Sequence, residues 1–227
     1  MYSLKSVRFE PEAANSAVNK EKRKVFAEAL LSAQSQNLPI LFMDETNFNL
    51  HITRSQGRSQ RGIRCTTVPA SPKGANIHVV GCIGSLGLIH YEVRRGSFKK
   101  DSAQEWVKSC LRIAREKYGR PVVLVLDNAP CHSQIEDILD EEEFKDHRIL
   151  RLGPYSPMLN PIEHVWSVVK AYVKRLLAEK MLSILASTDA ILSIKEHRLR
   201  ALEQLIHESM GTVDVNLCSS CIEGIQG

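Results

Sequence analysis

Residues 121–132 read PVVLVLDNAPCH, and this stretch anchors the fold prediction for the whole chain. The five apolar residues 122–126 end abruptly at Asp127, which is the pattern of a buried strand that stops at a turn. Residues 38–46, LPILFMDET, show the same pattern, with a short apolar run that ends at Asp44. A carboxylate beside a buried strand is costly to desolvate unless something offsets its charge. The two aspartates are therefore candidates for a functional site.

The segments around these two runs alternate between strand and helix signals. Apolar residues at helical spacing predict helices over residues 19–33 and 101–117, and residues 76–84 and 87–94 read as a β-hairpin. Ser133 is a candidate cap for a further helix. Residues 148–152 read as a strand and residues 161–177 as a helix, followed by charged, helix-forming residues to Met210 and a weakly structured tail.

Together these elements predict an α/β domain in which a mixed sheet is flanked by helices. In open α/β sheets, functional sites lie beyond the carboxyl ends of the strands. We expect Asp44 and Asp127 to lie there, each at the end of its strand.

Residues 154–166, PYSPMLNPIEHVW, add a third acidic residue, Glu163, at the start of a helical pattern. Asn160 is a candidate N-cap for that helix, with Pro161 at its first position. Each carboxylate also has a structural alternative. Asp44 and Asp127 fit turn residues that bind nearby amides, and Glu163 fits a capping box with Asn160. Three such carboxylates together favour a divalent-metal site, and metal with carboxylates is the chemistry of phosphodiester cleavage.

Composition limits the class of protein. With 227 residues, 43% of them hydrophobic, the chain can build one or two domains around a large core. Its formal net charge of +4 permits nucleic-acid binding without arguing for it. Six cysteines without framework spacing favour reduced thiols. Because neither a signal peptide nor a run of membrane-spanning length is evident, we expect a soluble intracellular protein with no membrane partner. No small-molecule substrate is expected either.

The three motifs, DETNFNLH from Asp44, LDNAPCH around Asp127 and PYSPMLNPIEHVW around Glu163, resemble the catalytic-domain signatures of the mariner/Tc superfamily of DDE transposases. The resemblance runs from about residue 2 to about residue 177 and is most specific in the third motif. It implies an RNase H-like fold and a catalytic, metal-binding triad of Asp44, Asp127 and Glu163. The 35 residues between Asp127 and Glu163 are one more than the common spacing, which a loop change near residues 140–143 would explain.

The activity implied by this resemblance is metal-dependent DNA cleavage and strand transfer, as in transposition and integration. Two Mg²⁺ ions are expected roughly 3.5–4 Å apart, and Mn²⁺ should substitute for them. The expected partners are transposon ends, target DNA and a second copy of the chain in a homodimer, and the expected location in a eukaryote is the nucleus. The alternatives are a decayed or co-opted transposase domain that binds nucleic acid or a partner without cutting, and a plain RNase H-type ribonuclease.

Members of this family carry helix-turn-helix domains before the catalytic domain, and almost nothing precedes the catalytic pattern in this sequence. We therefore expect a catalytic domain alone. Its expected parts are an N-terminal linker and helix over residues 1–36, the RNase H-like domain over residues 37–180, and a C-terminal helical segment and tail over residues 181–227.

Three further features have weaker signals. A basic, glycine-punctuated segment precedes the hairpin, where relatives carry a loop that clamps a second subunit. Its candidate DNA-binding residues are Arg54, Arg58, Arg61 and Arg64, and the alternative is a solvated face. His132 and His164 are expected to support the metal site from outside its ligand shell or to serve packing. Cys218 and Cys221 are a weak zinc signal because no second pair of ligands is evident.

Overall fold

The structure, a computed structural model, describes residues 11–49, 60–63, 76–186 and 193–226. Within these ranges the strands are β1 (Ile40–Phe48), β2 (Ile77–Gly84), β3 (Gly87–Arg95), β4 (Val123–Leu126) and β5 (Arg148–Arg151). The α-helices are α1 (Ala17–Ser35), α2 (Lys100–Tyr118), α3 (Ile162–Ala186), α4 (Ile194–Met210) and α5 (Val215–Gln226). Short 3₁₀ helices cover Glu12–Asn15, Pro130–His132, Ile135–Asp140 and Pro157–Leu159. None of the described helices has the length and apolar character needed to cross a membrane.

The strands form one mixed sheet in the order β3-β2-β1-β4-β5. The β2–β3 hairpin is antiparallel, whereas β4 runs parallel to both β1 and β5. In the β1–β4 pair, Ile40 lies opposite Val123 and Phe42 opposite Val125. This arrangement confirms the predicted α/β class with a mixed sheet and flanking helices.

The chain divides into two compact units, and β1 passes from one into the other. The first unit comprises Met1–Met43 and Lys100–Asn160. Its core contains the start of β1, all of β4 and the apolar face of α2, where Trp106, Cys110 and Ala114 are buried as the helical spacing predicts. On α1, the Ser16 side chain caps the first turn by accepting a hydrogen bond from the Asn19 amide.

The second unit comprises Asp44–Lys99 and Pro161–Gly227. In it the β2–β3 hairpin packs against α3, α4 and α5. The hairpin turns at residues 85–86, and Gly87 adopts φ +89°, a conformation that side chains disfavour. On β2, Gly81 lies under the indole of Trp166 with no room for a β-carbon.

Two predicted element boundaries, at Asp44 and at Ser133, are wrong. β1 does not stop at Asp44 but continues to Phe48, because only residues 41–43 form a fully buried run, whereas Thr46 and Phe48 alternate with more exposed neighbours. Ser133 caps no α-helix: the segment after it is a 3₁₀ helix entered through Gln134 at φ +59°. That left-handed residue prevents a regular helix from starting at Ser133.

The C-terminal part is more ordered than predicted. α3 extends nine residues beyond 177, to Ala186, and the tail expected to be weakly structured forms α5. The Asp214 carboxylate accepts a 2.7 Å hydrogen bond from the Leu217 amide, which caps the start of α5. Burial of Cys218 against the rest of the unit then stabilises a helix whose glycine and serines give it a weak intrinsic propensity.

Candidate functional site

The three acidic residues of the predicted triad occupy different kinds of position. Asp127 directly follows β4 and its side chain is 43% exposed. Asp44 lies within β1 and is half-buried. Glu163 is the second residue of α3 and is exposed. Each carboxylate is therefore open to solvent to some degree.

The two oxygens of the Asp127 carboxylate have different surroundings. Oδ1 accepts hydrogen bonds from the Ala129 amide at 2.9 Å and from His132 Nδ1 at 2.8 Å. The ring of His132 is fully buried, so its contact with Oδ1 is sheltered from water. Oδ2 accepts no hydrogen bond from any residue in the described part of the chain. One oxygen thus fixes the side chain, and the other is available to a ligand.

These hydrogen bonds also decide the charge of Asp127. Partial burial alone would raise its pKa, because a desolvated carboxylate prefers to be neutral. The hydrogen bonds from His132 and from the Ala129 amide outweigh this effect, with a smaller contribution from the charge of Arg151, so the pKa is lowered overall. Asp127 is therefore an anion at neutral pH. The alternative role of Asp127 as a turn residue is also present, since its contact with the Ala129 amide forms an Asx-turn. This turn uses only Oδ1 and leaves Oδ2 uncommitted.

The turn that follows β4 is attached to β5. Arg151, the last residue of β5, donates to the backbone oxygen of Asp127 at 3.0 Å and to that of His132 at 2.6 Å. The Asn128 side chain donates to the backbone oxygen of Leu152 at 2.7 Å. Sequence reasoning missed both residues, because the partners lie about twenty residues away and only the sheet order brings them together. An arginine at the end of the short RILRL strand was the available signal.

Asn160 has a different role from the predicted one. Its amide donates to the Pro157 oxygen, its Nδ2 donates to the Met43 oxygen at 3.2 Å, and its buried Oδ1 has no partner among the described residues. Because its amide is already paired and its Oδ1 caps nothing, the capping-box alternative for Glu163 is wrong. Asn160 instead holds the backbone carbonyl that directly precedes Asp44.

The Glu163 carboxylate makes no hydrogen bond or ion pair with another described residue. It lies in the first turn of α3, where the unpaired amides of the helix end favour negative charge. His164, next to it, is exposed. Of the two histidines singled out from the sequence, His132 therefore contacts a carboxylate of the predicted triad.

Of the four candidate DNA-binding arginines, only Arg61 lies among the described residues. Arg54, Arg58 and Arg64 lie outside the described residues, whereas Arg61 is exposed in a short turn closed by a hydrogen bond from the Ile63 amide to the Gln60 oxygen.

Cys218 and Cys221 are one helical turn apart on α5, and burial raises the pKa of both thiols, that of Cys218 to about 12. The cysteines in the described part of the chain are free thiols, as expected.

Known proteins resemble this chain in both sequence and fold. The family of DDE superfamily endonucleases matches residues 39–182, more than half of the chain. The Transposable element Tcb2 transposase of Caenorhabditis briggsae is 26% identical over 141 residues, which cover 59% of this chain and 51% of that protein. The chain thus spans about half the length of this curated relative.

Two solved structures show the similarity in fold. The Mos1 mariner paired end complex with Mn matches with a TM-score of 0.61 at 18% identity, over 99% of this chain and 68% of that one. The Mos1 transposase catalytic domain with Raltegravir and Mg matches with a TM-score of 0.59 at 17% identity, over 92% of this chain and 90% of that one. These matches confirm the RNase H-like fold, and together with the sequence matches they confirm the resemblance to mariner/Tc transposases.

Proposed function

Because the chain belongs to the family of DDE superfamily endonucleases, we propose that it cuts and joins DNA with a triad of Asp44, Asp127 and Glu163. These carboxylates would bind two divalent ions, Mg²⁺ or Mn²⁺. The observation that carries the proposal is the Asp127 carboxylate, which is ionised, fixed through Oδ1 and uncommitted at Oδ2. Oxygen donors of this kind fit a hard divalent cation.

The strand register supports Asp44 as the partner of Asp127. β1 and β4 are parallel, and Phe42 lies opposite Val125. Asp44, within β1, and Asp127, directly after β4, each lie two residues beyond that pair. This equal offset from the last pair of the ladder supports choosing Asp44 and Asp127 together.

The absence of any other contact among the described residues supports Glu163 as the third carboxylate of the triad. Its carboxylate has no described partner, and the capping-box role that would have engaged it is excluded by the contacts of Asn160. Glu163 also lies in the first turn of the 25-residue helix α3, a usual place for an acidic side chain.

The chemistry divides between the ions and the chain. When bound, divalent ions would supply Lewis-acid activation of a water or a DNA 3′-hydroxyl and would stabilise the departing oxygen. Asp127 would present Oδ2 to an ion while His132 and the Ala129 amide hold Oδ1, and Asp44 and Glu163 would provide the remaining carboxylates. The proposed substrates are transposon ends and target DNA, bound by a homodimer and, in a eukaryote, in the nucleus. The solved Mos1 structures that resemble this chain include a transposon-end complex and complexes with Mn and Mg, which supports this choice.

The test is nicking of supercoiled plasmid by purified protein with Mg²⁺ or Mn²⁺. Asp127→Asn keeps the size of the side chain but removes its charge, and we expect it to lower the nicking rate by at least about 100-fold through lost metal binding. Asp137→Asn is the matched control, because Asp137 is an exposed acidic residue of the same unit, and it should nick at the parent rate. Equal rates for Asp127→Asn and the parent would refute the triad.

Calorimetric titration with Mn²⁺ separates this proposal from a domain that only binds DNA or a partner. Triad-dependent Mn²⁺ binding supports the nuclease. DNA binding without any Mn²⁺ site in the parent protein supports the non-cutting alternative.

A further inference from the structure

The guanidinium of Arg151 connects three separate parts of the loop after β4. Nη1 donates to the Asp127 oxygen, and Nη2 donates to the His132 oxygen. Nε and Nη2 also form a two-point pair with the Glu136 carboxylate, at 2.6 and 2.7 Å. Arg151 is therefore a hub between β5 and the loop, and it contacts both residues of the Asp127–His132 hydrogen bond through their backbones.

The two backbone contacts determine the spacing of that hydrogen bond. Asp127 and His132 are five residues apart, and the loop between them contains only a short 3₁₀ helix, Pro130–His132. Since one planar guanidinium holds both carbonyl groups, the Cα atoms of the two residues cannot drift apart independently. The His132 ring then stays within 2.8 Å of Oδ1, and Oδ2 stays directed away from that contact.

Glu136 holds the Arg151 guanidinium in the orientation in which it can bond to the Asp127 and His132 carbonyl groups. Its bidentate pairing uses the Nε edge of Arg151 and leaves the Nη1 edge for the Asp127 carbonyl. A lysine cannot reproduce this arrangement, because an ammonium group is a point charge without a fixed fork. The Arg151–Glu136 pair is partly exposed, so it contributes little to global stability.

We propose that Arg151, held by Glu136, is a positioning residue that sets the Asp127–His132 geometry and so tunes the affinity of the site for divalent metal. The role in metal affinity rests on the proposed function of Asp127 as a ligand. The role in the Asp127–His132 contact does not, since that contact forms without metal.

The chain contains a matched control for this proposal. Arg112 on α2 forms an equivalent two-point pair with Glu143, at 2.7 and 2.8 Å, in the same unit. That pair is also partly exposed, and Arg112 donates to neither Asp127 nor His132. Arg151→Lys and Arg112→Lys thus remove the same kind of contact, once at the loop after β4 and once away from it.

The first measurement is the ¹H NMR spectrum of the metal-free protein. A histidine Nδ1 proton bonded to a carboxylate gives a signal far downfield, which His132→Gln assigns by removing it. We expect this signal to persist in Arg112→Lys and to be lost or broadened by exchange in Arg151→Lys. A signal unchanged in Arg151→Lys would overturn the positioning role whatever the metal does.

The second measurement is Mn²⁺ affinity by calorimetry, with thermal unfolding of the same samples. We expect Arg151→Lys to weaken Mn²⁺ binding about 10- to 100-fold, the range for groups that orient metal ligands, and Arg112→Lys to leave it unchanged. In plasmid nicking, Arg151→Lys should raise the Mn²⁺ concentration for half-maximal rate while the rate at saturating Mn²⁺ stays close to the parent value. Glu136→Gln, which keeps Arg151 and removes only one charge, should show a smaller shift in the same direction.

The outcomes separate the two proposals. If the parent binds no Mn²⁺, the proposed function fails, and the NMR result still decides the positioning role. If the parent binds Mn²⁺ and both Arg151→Lys and Glu136→Gln bind it equally well, the role of Arg151 in metal affinity is wrong and the triad stands. Should Arg151→Lys unfold, Glu136→Gln alone decides by the same criteria.

Discussion

Replacing Gly81 by alanine tests how β2 supports α3. An added β-carbon would lie 2.6 Å from Cη2 and 3.0 Å from Cζ2 of the Trp166 ring. Since carbon atoms pack best at about 3.5–4.0 Å, the ring or the strand would have to move by roughly 1 Å. Trp166 is 1% exposed and its indole nitrogen has no partner in the described part of the chain, so only packing holds the ring.

We expect Gly81→Ala to lower the free energy of unfolding by about 1–3 kcal/mol, the usual cost of overpacking a well-filled core. For a chain of this size the melting temperature should fall by about 2–4 °C per kcal/mol. Because Trp166 lies on α3 three residues after Glu163, we also expect the variant to nick plasmid more slowly than the parent at a temperature where both are folded.

Two comparisons make this experiment specific. Gly224 on α5 has open space where a β-carbon would lie, so Gly224→Ala should stabilise the protein by about 0.5–1 kcal/mol through helix propensity alone. Trp166→Phe removes both crowded atoms, and Gly81→Ala should cost far less in that background. Urea unfolding of the parent, the two single variants and the double variant gives the coupling energy. A Gly81→Ala protein as stable as the parent, or an equal cost in both backgrounds, would refute the packing argument.

Three further predictions follow from individual residues. Burial lowers the pKa of His147, with help from the charge of Arg115, so the unfolded chain takes up a proton more readily. The free energy of unfolding should therefore fall as pH drops below about 6.5, and His147→Gln should reduce this fall in urea titrations at a series of pH values. Cys218, with its pKa raised to about 12, should react with iodoacetamide at pH 8 only as fast as the protein opens; rapid labelling of the native protein in mass spectra would contradict this. Replacing all four candidate arginines by alanine should flatten the salt dependence of DNA affinity by about 0.9 in log–log slope per lost phosphate contact, measured by fluorescence anisotropy, and an unchanged slope would return the segment to a solvated face. Those residues are Arg54, Arg58, Arg61 and Arg64.

Local patterns predicted most of the fold because these helices and strands show the spacing of apolar residues that is typical of their own type. The apolar stripe of α2 and the two strands of the hairpin match the predicted ranges to within one residue at each end. The end of β1 was mispredicted because an uninterrupted apolar run marks only the part of a strand that is buried on both faces. From Asp44 onward the strand has one buried face, and alternation over five residues is a weaker signal than a run.

The parts of the site that escaped prediction depend on partners distant in sequence. Asn160 has the local signature of an N-cap, yet its side chain bonds to the Met43 oxygen, 117 residues earlier. No local pattern contains that partner, so the tertiary contact overrides the cap propensity. The helix α5 escaped for the related reason that its stability comes from burying Cys218 against the rest of its unit rather than from helix-forming residues.

The strand order explains why the turn after β4 keeps a defined shape although it lies outside any regular element. Beyond the last residue pair of the β4–β5 ladder, the Leu152 amide still donates to the Leu126 oxygen at 2.8 Å. Asn128 then donates to the Leu152 oxygen, and Arg151 donates to the Asp127 oxygen. Side chains thus continue the pairing where backbone pairing stops. Because β5 lies next to β4 in the sheet, the aspartate that follows β4 gains a support through its backbone that leaves Oδ2 of its carboxylate uncommitted, which is what a metal ligand at this position would require.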